Sequence, residues 1–158
     1  MTRVLALLLS YVMLLPAPLW AATYYVNATG GNDSRTTGQA QVQGTPWLTI
    51  QKCVDNVAAG DTCLVEDGTY TDGDGNGIVV YVNTTNGTSG SPITIKSTNQ
   101  YGAKLTVSSA QNGLNAGFYI AKDYYIISRL HQCGQQRLYA CQWKRSPRYR
   151  DDPGKCHR

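Results

Sequence analysis

Hydrophobic and polar positions fall into three textures along the chain. Residues 4–15 are almost unbroken apolar. Residues 23–127 alternate short runs of Val, Ile, Thr and Tyr with connectors of Gly, Asn, Ser and Asp, and residues 129–158 show neither habit. In the middle texture "TYYV", "TCLVE", "GIVVYV", "SPITIKS", "AKLTV", "GFYIA" and "DYYII" read as strands. From "TCLVE" to "GFYIA" their starts lie roughly 10 to 16 residues apart, and "DYYII" follows six residues after the start of "GFYIA", with no helix-length segment between them. One segment breaks the habit. "GTPWLTIQKCVDNVAAGDT" places Trp47, Ile50, Val54 and Val57 at steps of three and four, which predicts a helix with one buried stripe. Thr45 suits its cap, Pro46 its first position and Gly60 its end.

Many short strands at such spacing predict an all-β fold: a sandwich, a barrel or a parallel solenoid. The connectors favour the last. Hairpins prefer two-residue Asn-Gly or Asp-Gly links, whereas these turns are longer and irregular. Strands such as "GIVVYV" are apolar nearly throughout, as strands between neighbouring coils tend to be.

The "TYYV" strand, the Gly/Asn/Ser loop, "TPWLTIQKCVDNVAAGDTCLVEDGTYT" and "GSPITIKS" together resemble the start of right-handed parallel β-helix proteins of the pectate-lyase-like superfamily. The resemblance covers about residues 23–127 and rests on a helix closing the solenoid end, a Gly-Asp turn into a strand and a "DGTY" corner. It implies a right-handed parallel β-helix with an N-terminal amphipathic capping helix, truncated after the first coils. It also implies a partner, a polysaccharide, acidic or neutral, and a lyase or glycosidase activity. The family's groove is generally built by coils in the middle of the solenoid, so no catalytic residue is carried over to this chain.

The first texture changes the compartment. Arg3, the apolar run Val4–Leu15 and "APLWAA" have the layout of a secretory signal peptide, with cleavage expected after Ala21 or Ala22. The run is too short to span a bilayer. Residues 1–21 are thus expected to be removed, leaving a secreted, extracellular or periplasmic protein with no membrane anchor. Export makes Cys53 and Cys63, ten residues apart on neighbouring elements, a reasonable disulfide, with two buried thiols as the alternative. Asn27, Asn32, Asn83 and Asn86 each begin an N-x-S/T triplet, read here as turn residues.

The third texture changes how the net charge of +4 is read. Residues 22–128 carry five Lys/Arg against eight Asp/Glu, while residues 129–158 carry eight against two. The tail also holds Cys133, Cys141 and Cys156. A reading-frame shift near Ser128 explains the break. Codons for "GQQRLY" can be chosen that, read one base later, encode Gly-Asn-Asn-Asp-Tyr, a turn and strand like those before it. Residues 22–128 are therefore expected to hold the cap and first coils, and residues 129–158 an aberrant or disordered basic tail. The rival is an anion-binding arm using Lys144, Arg145, Arg148 and Arg150 with Trp143 and Tyr149. The cysteine spacing lacks the short knuckle of a zinc site. Neither nucleic acid nor zinc is expected as a partner, and the chain is expected to be a monomer.

Candidate chemistry is sparse. Asp72, Asp74, Asn76 and Gly77 match the first half of a calcium loop, with oxygens at alternate positions and a glycine for the turn. Asn83 stands where that loop needs a bidentate Glu, and polar corners use the same residues for turn chemistry alone. Glu66 and Asp67 add negative charge nearby, so calcium binding and a structural corner both stand as readings. No histidine lies in residues 22–128. A lyase needs a base such as Lys96, Lys104 or Lys122, each also an ordinary strand charge. Tyr24, Tyr25, Tyr81, Tyr119, Tyr124 and Tyr125 can stack on sugars or simply pack. A non-catalytic glycan-binding or adhesive module is the alternative to an enzyme.

Overall fold

The computed structural model describes residues 21–107, 116–132 and 140–143. The expected leader up to residue 20, and Cys133 and Cys156 of the tail, lie outside them. The described elements run β1 (Thr23–Val26), α1 (Thr37–Ala40), α2 (Ile50–Val54), β2 (Thr62–Val65), β3 (Gly68–Thr71), β4 (Ile78–Val82) and β5 (Ile93–Ser97). They continue with β6 (Ala103–Thr106), β7 (Ala116–Ile120), β8 (Tyr125–Ser128), β9 (His131–Gln132) and β10 (Ala140–Trp143).

The strands form three sheets, ordered β1-β2-β5-β8-β10, β3-β6-β9 and β4-β7. Every pairing is parallel except that of β10 on β8. From β2 onward the chain visits the first, second and third sheets in turn, then returns to the first one strand further along. Two parallel strands cannot be joined by a tight hairpin. Here the connection between them is supplied by the strands of the other two sheets.

This connectivity explains the core. Parallel register stacks like on like, so Tyr24, Cys63, Ile95 and Ile127 form one inward row across the first sheet, all buried. The alternation within β5 sends Ile93, Ile95 and Ser97 inward and Thr94 and Lys96 outward. Buried Ser97 is satisfied because its hydroxyl accepts from the amide of Ala103 at 3.1 Å.

The expected long helix is shorter and starts later. Thr49, rather than Thr45, caps α2 by accepting from the Lys52 amide, and Asp55 ends it. Residues before it are claimed by β1 instead. The Trp47 amide donates to Tyr25 O at 2.9 Å and the Asn27 amide to Trp47 O at 2.8 Å, so Trp47 bridges Val26 as a strand residue would. An open edge on β1 would leave these groups unpaired, and that demand overrides the local cap signal. Asp33 completes the arrangement: Oδ1 accepts from the Leu48 and Thr49 amides and Oδ2 from the Thr49 hydroxyl. Gly31 is required where this loop crosses, since a Cβ there would lie 2.1 Å from Trp47 O.

The disulfide expected from spacing is present. Cys53 of α2 joins Cys63 of β2 with their Cα atoms 6.2 Å apart, and pins the helix across the end of the first sheet. Two further differences concern strands. "DGTY" is more than a corner, because Gly68–Thr71 is the first strand of the second sheet. Past Ser128, where no strand was expected, β9 continues the second sheet and β10 lies antiparallel on β8.

Two core tyrosines make the fold sensitive to alkali. Tyr125 is fully buried and donates its hydroxyl to Thr85 O at 2.8 Å. Burial, aided by the negative charge of Asp55, raises its pKa to about 12. Burial pushes Tyr70 upward as well, and its hydroxyl lies within bonding distance of Val26 O and Glu66 O. A raised folded-state pKa means that the folded chain holds the proton more tightly than the unfolded one. That stability is complete below the ordinary tyrosine value of about 10 and is lost as pH rises through about 12. We expect the melting temperature to fall steeply above about pH 10. Phenolate absorbance should rise in two steps, the second coinciding with unfolding. A single step with no loss of structure would contradict this.

Candidate functional site

The corner between β3 and β4 holds the calcium-like residues. Asp72 is buried and its Oδ2 accepts from the Gly77 amide at 3.2 Å. Asp74 Oδ1 accepts from the Asn76 amide at 3.2 Å, and its Oδ2 from Asn76 Nδ2 at 2.7 Å. Asn76 Oδ1 in turn accepts from the Ile78 amide at 2.8 Å. These are side-chain turns that hold the corner's own backbone, with Gly75 and Gly77 at positive φ as such a reversal requires. A cation at this corner would have to share these oxygens with the amides they already accept from. Among the described residues no three His, Cys, Asp or Glu side chains gather as metal ligands.

Glu66 and Asp67 do not join this corner. They occupy the turn at the other end of β3, where Glu66 accepts from Asn27 Nδ2 and Gln43 Nε2 and Asp67 accepts from Asn99 Nδ2. Sequence adjacency suggested one acidic patch, but the intervening strand separates the two groups.

Beside the Asp72–Gly77 corner runs a groove of about 620 Å³, between α2 with the residues leading into it and the β3–β4 edge. Its most exposed aromatic is Tyr81 of β4, 41% exposed. On the neighbouring strand β7, Tyr119 stands opposite Tyr81 in register, with ring centroids 5.2 Å apart at 60°. Tyr119 is 45% exposed, so the pair forms an aromatic ridge on the outer face of the third sheet. Tyr24 and Tyr125, by contrast, are core residues.

The ridge is held by a contact the sequence did not announce. Gln51 of α2 accepts from the Tyr81 amide at 2.7 Å and donates to Tyr81 O at 3.0 Å. Its side-chain amide thus takes the place of a neighbouring strand along the edge of β4. The same Nε2 reaches Asp55 Oδ1 at 2.9 Å, which also accepts from the Thr84 hydroxyl at 3.1 Å. Replacing Gln51 by Leu leaves the Tyr81 amide and carbonyl without these partners. We expect a loss of about 1–2 kcal/mol in denaturant unfolding, and a loss indistinguishable from zero would show that water replaces the amide.

The candidate lyase bases are dispersed. Lys96 and Lys104 point outward from β5 and β6, in different sheets, and Lys122 precedes β8. Lys104 stands opposite His131 of β9, whose ring meets the edge of Tyr101 at 6.4 Å. His131 was not among the candidate bases because the sequence around it carries no strand pattern; only the β6–β9 pairing brings it to the sheet.

No family model and no curated protein sequence matches this chain. Among solved structures, a rhamnogalacturonan lyase is similar in fold, with a TM-score of 0.55 and 21% identity over 71% of this chain. The chain spans 28% of that protein's length.

Proposed function

We propose that this chain is the N-terminal portion of a secreted right-handed parallel β-helix protein that acts on polysaccharide, by lyase chemistry in its full-length form. The observation that carries the reading is the cyclic passage through three parallel sheets, in a fold similar to about a quarter of a polysaccharide lyase. In this reading residues 22–128 supply the cap and the first coils, and the described residues do not assemble a base with a charge-neutralising partner. β-Elimination removes the proton beside a uronate carboxylate and expels the glycosidic oxygen from the adjacent carbon. It needs both functions in one groove. Further coils would supply them, and the fragment alone would be inactive.

The test is to extend the coding region from codon 120, translate all three frames, and express any longer β-helix that results. We expect unsaturated oligosaccharide products from a polysaccharide panel, abolished by chelator, since calcium is the cofactor proposed for the full-length reaction. Products that survive chelation would remove calcium from the proposal. Retention on the polymer without new products would remove the lyase chemistry. The same calcium added to the present chain reports on the Asp72, Asp74 and Asn76 corner. A raised melting temperature, absent in Asp74→Asn, would assign a cation there.

A second reading, a non-catalytic glycan-binding module, is favoured by the outward Tyr81–Tyr119 ridge. It predicts polymer retention by the chain as it stands.

A further inference from the structure

We infer that the groove beside Tyr81 is a subsite for an uncharged sugar unit of a glycan chain and discriminates against uronates. The inference rests on the proposal that the protein binds polysaccharide, and adds where the chain binds and which class of sugar it takes.

Three features of the groove lead there. Its size, about 620 Å³, is that of a small-ligand site, large enough for one or two pyranose rings. Its wall presents the partly exposed ring of Tyr81, a flat apolar surface that suits the C–H face of a pyranose. Around that ring the lining offers oxygens and amides from Thr49, Asp55, Thr71, Asp74 and Asn83, the partners that sugar hydroxyls need.

Charge then selects among sugars. Among the described residues the lining contains Asp55 and Asp74 and no Lys, Arg or His. Residues 21–75, which supply most of the lining, carry only Arg35 and Lys52 as cations, and neither lines the groove. Arg35 is turned into its own loop, donating to Pro46 O at 2.5 Å. The later strands carry the opposite balance, with Lys96, Lys104, Lys122 and Arg129 against Asp123. A uronate entering the groove would meet like charge with no compensating cation, whereas a neutral hexose keeps the hydroxyl contacts without that repulsion.

The ring is also held in place before binding. Gln51 grips both backbone groups of Tyr81, and Tyr119 supports the ring from the adjacent strand. A rigid aromatic on a strand loses little freedom when a sugar stacks on it.

The test uses the full chain with neutral cello-, manno- and galactohexaose, hexagalacturonate and a glucosamine hexamer, read by titration calorimetry in low and high salt. At least one neutral hexaose is expected to bind with little salt dependence. Tyr81→Ala should weaken that binding by about tenfold or more, and Tyr81→Phe should retain it. Asp55→Asn should narrow the gap between the neutral hexaose and hexagalacturonate. Each variant is compared at equal folded fraction, judged by its melting curve. Strongest binding to hexagalacturonate or to the amino sugar would overturn the inference and leave the polysaccharide reading intact. So would neutral-sugar binding that survives Tyr81→Ala. Absence of binding to every oligomer would overturn the inference together with the glycan-binding reading.

Discussion

Trp47→Ala is expected to remove most of the chain's stability. Trp47 is fully buried, stacks on Tyr24 at 5.1 Å, and donates its indole N–H to Arg35 O at 2.9 Å. Truncating a buried Trp costs about 3–5 kcal/mol in transfer and cavity terms. The orphaned carbonyl adds to that, in a domain whose whole stability is of the order of 5–15 kcal/mol. The position matters as much as the volume, because Trp47 also supplies the backbone bridge that covers β1. Loosening it exposes the first edge of a five-stranded sheet, and exposed edges recruit other chains. The variant should therefore unfold at much lower denaturant and aggregate at concentrations where the parent stays soluble. Trp47→Phe, which keeps a ring but loses the N–H, should lose markedly less. A measured loss below about 1.5 kcal/mol for Trp47→Ala would mean that the cap is held elsewhere.

The second large effect is expected on breaking Cys53–Cys63. A crosslink ten residues apart restricts the unfolded chain by about 2–3 kcal/mol. Both sulfurs are buried, with Cys63 in the inward row between Tyr24 and Ile95, so the double Ala variant also loses packing. Unfolding in guanidinium with and without reductant, for the parent and for Cys53→Ala/Cys63→Ala, separates the two contributions. Reductant should lower the parent's midpoint and leave the variant's unchanged. Equal midpoints for the oxidised parent and the variant would show that the staple contributes nothing.

Both predictions concern the cap, and the cap is where sequence and structure part company. The strands were legible because each carries its own evidence: β-branched and aromatic residues in short runs, with turn residues between them. Ile93–Ser97 and Ile78–Val82 lie inside runs read as strands, to within two residues. The parallel arrangement was legible from apolar runs and irregular turns. The helix start was not. Thr45 and Pro46 form a good local signal, but Asp33 and Tyr25, distant in sequence, decide where the chain turns helical. "DGTY" hid a strand because its Asp-Gly dominated the reading of four residues.

The candidate site divides in the same way. That Tyr81 lies on a strand follows from its neighbours, but that its ring faces a groove depends on Gln51, thirty residues earlier. The Asp72–Asn76 spacing was visible, yet the identical oxygens serve a turn or a cation, and alternate spacing alone does not separate the two. That His131 stands opposite Lys104 came into view only through the β6–β9 pairing.

The antiparallel contact of β10 on β8 has a consequence for growth of the stack. A strand edge has room for one neighbour, and the cyclic order of the three sheets makes a further parallel strand the natural successor to β8. β10 and that successor are therefore competitors for a single berth. While residues 140–143 hold it, the β8 edge of the first sheet is closed by a strand of opposite direction, and no further parallel strand can pair there.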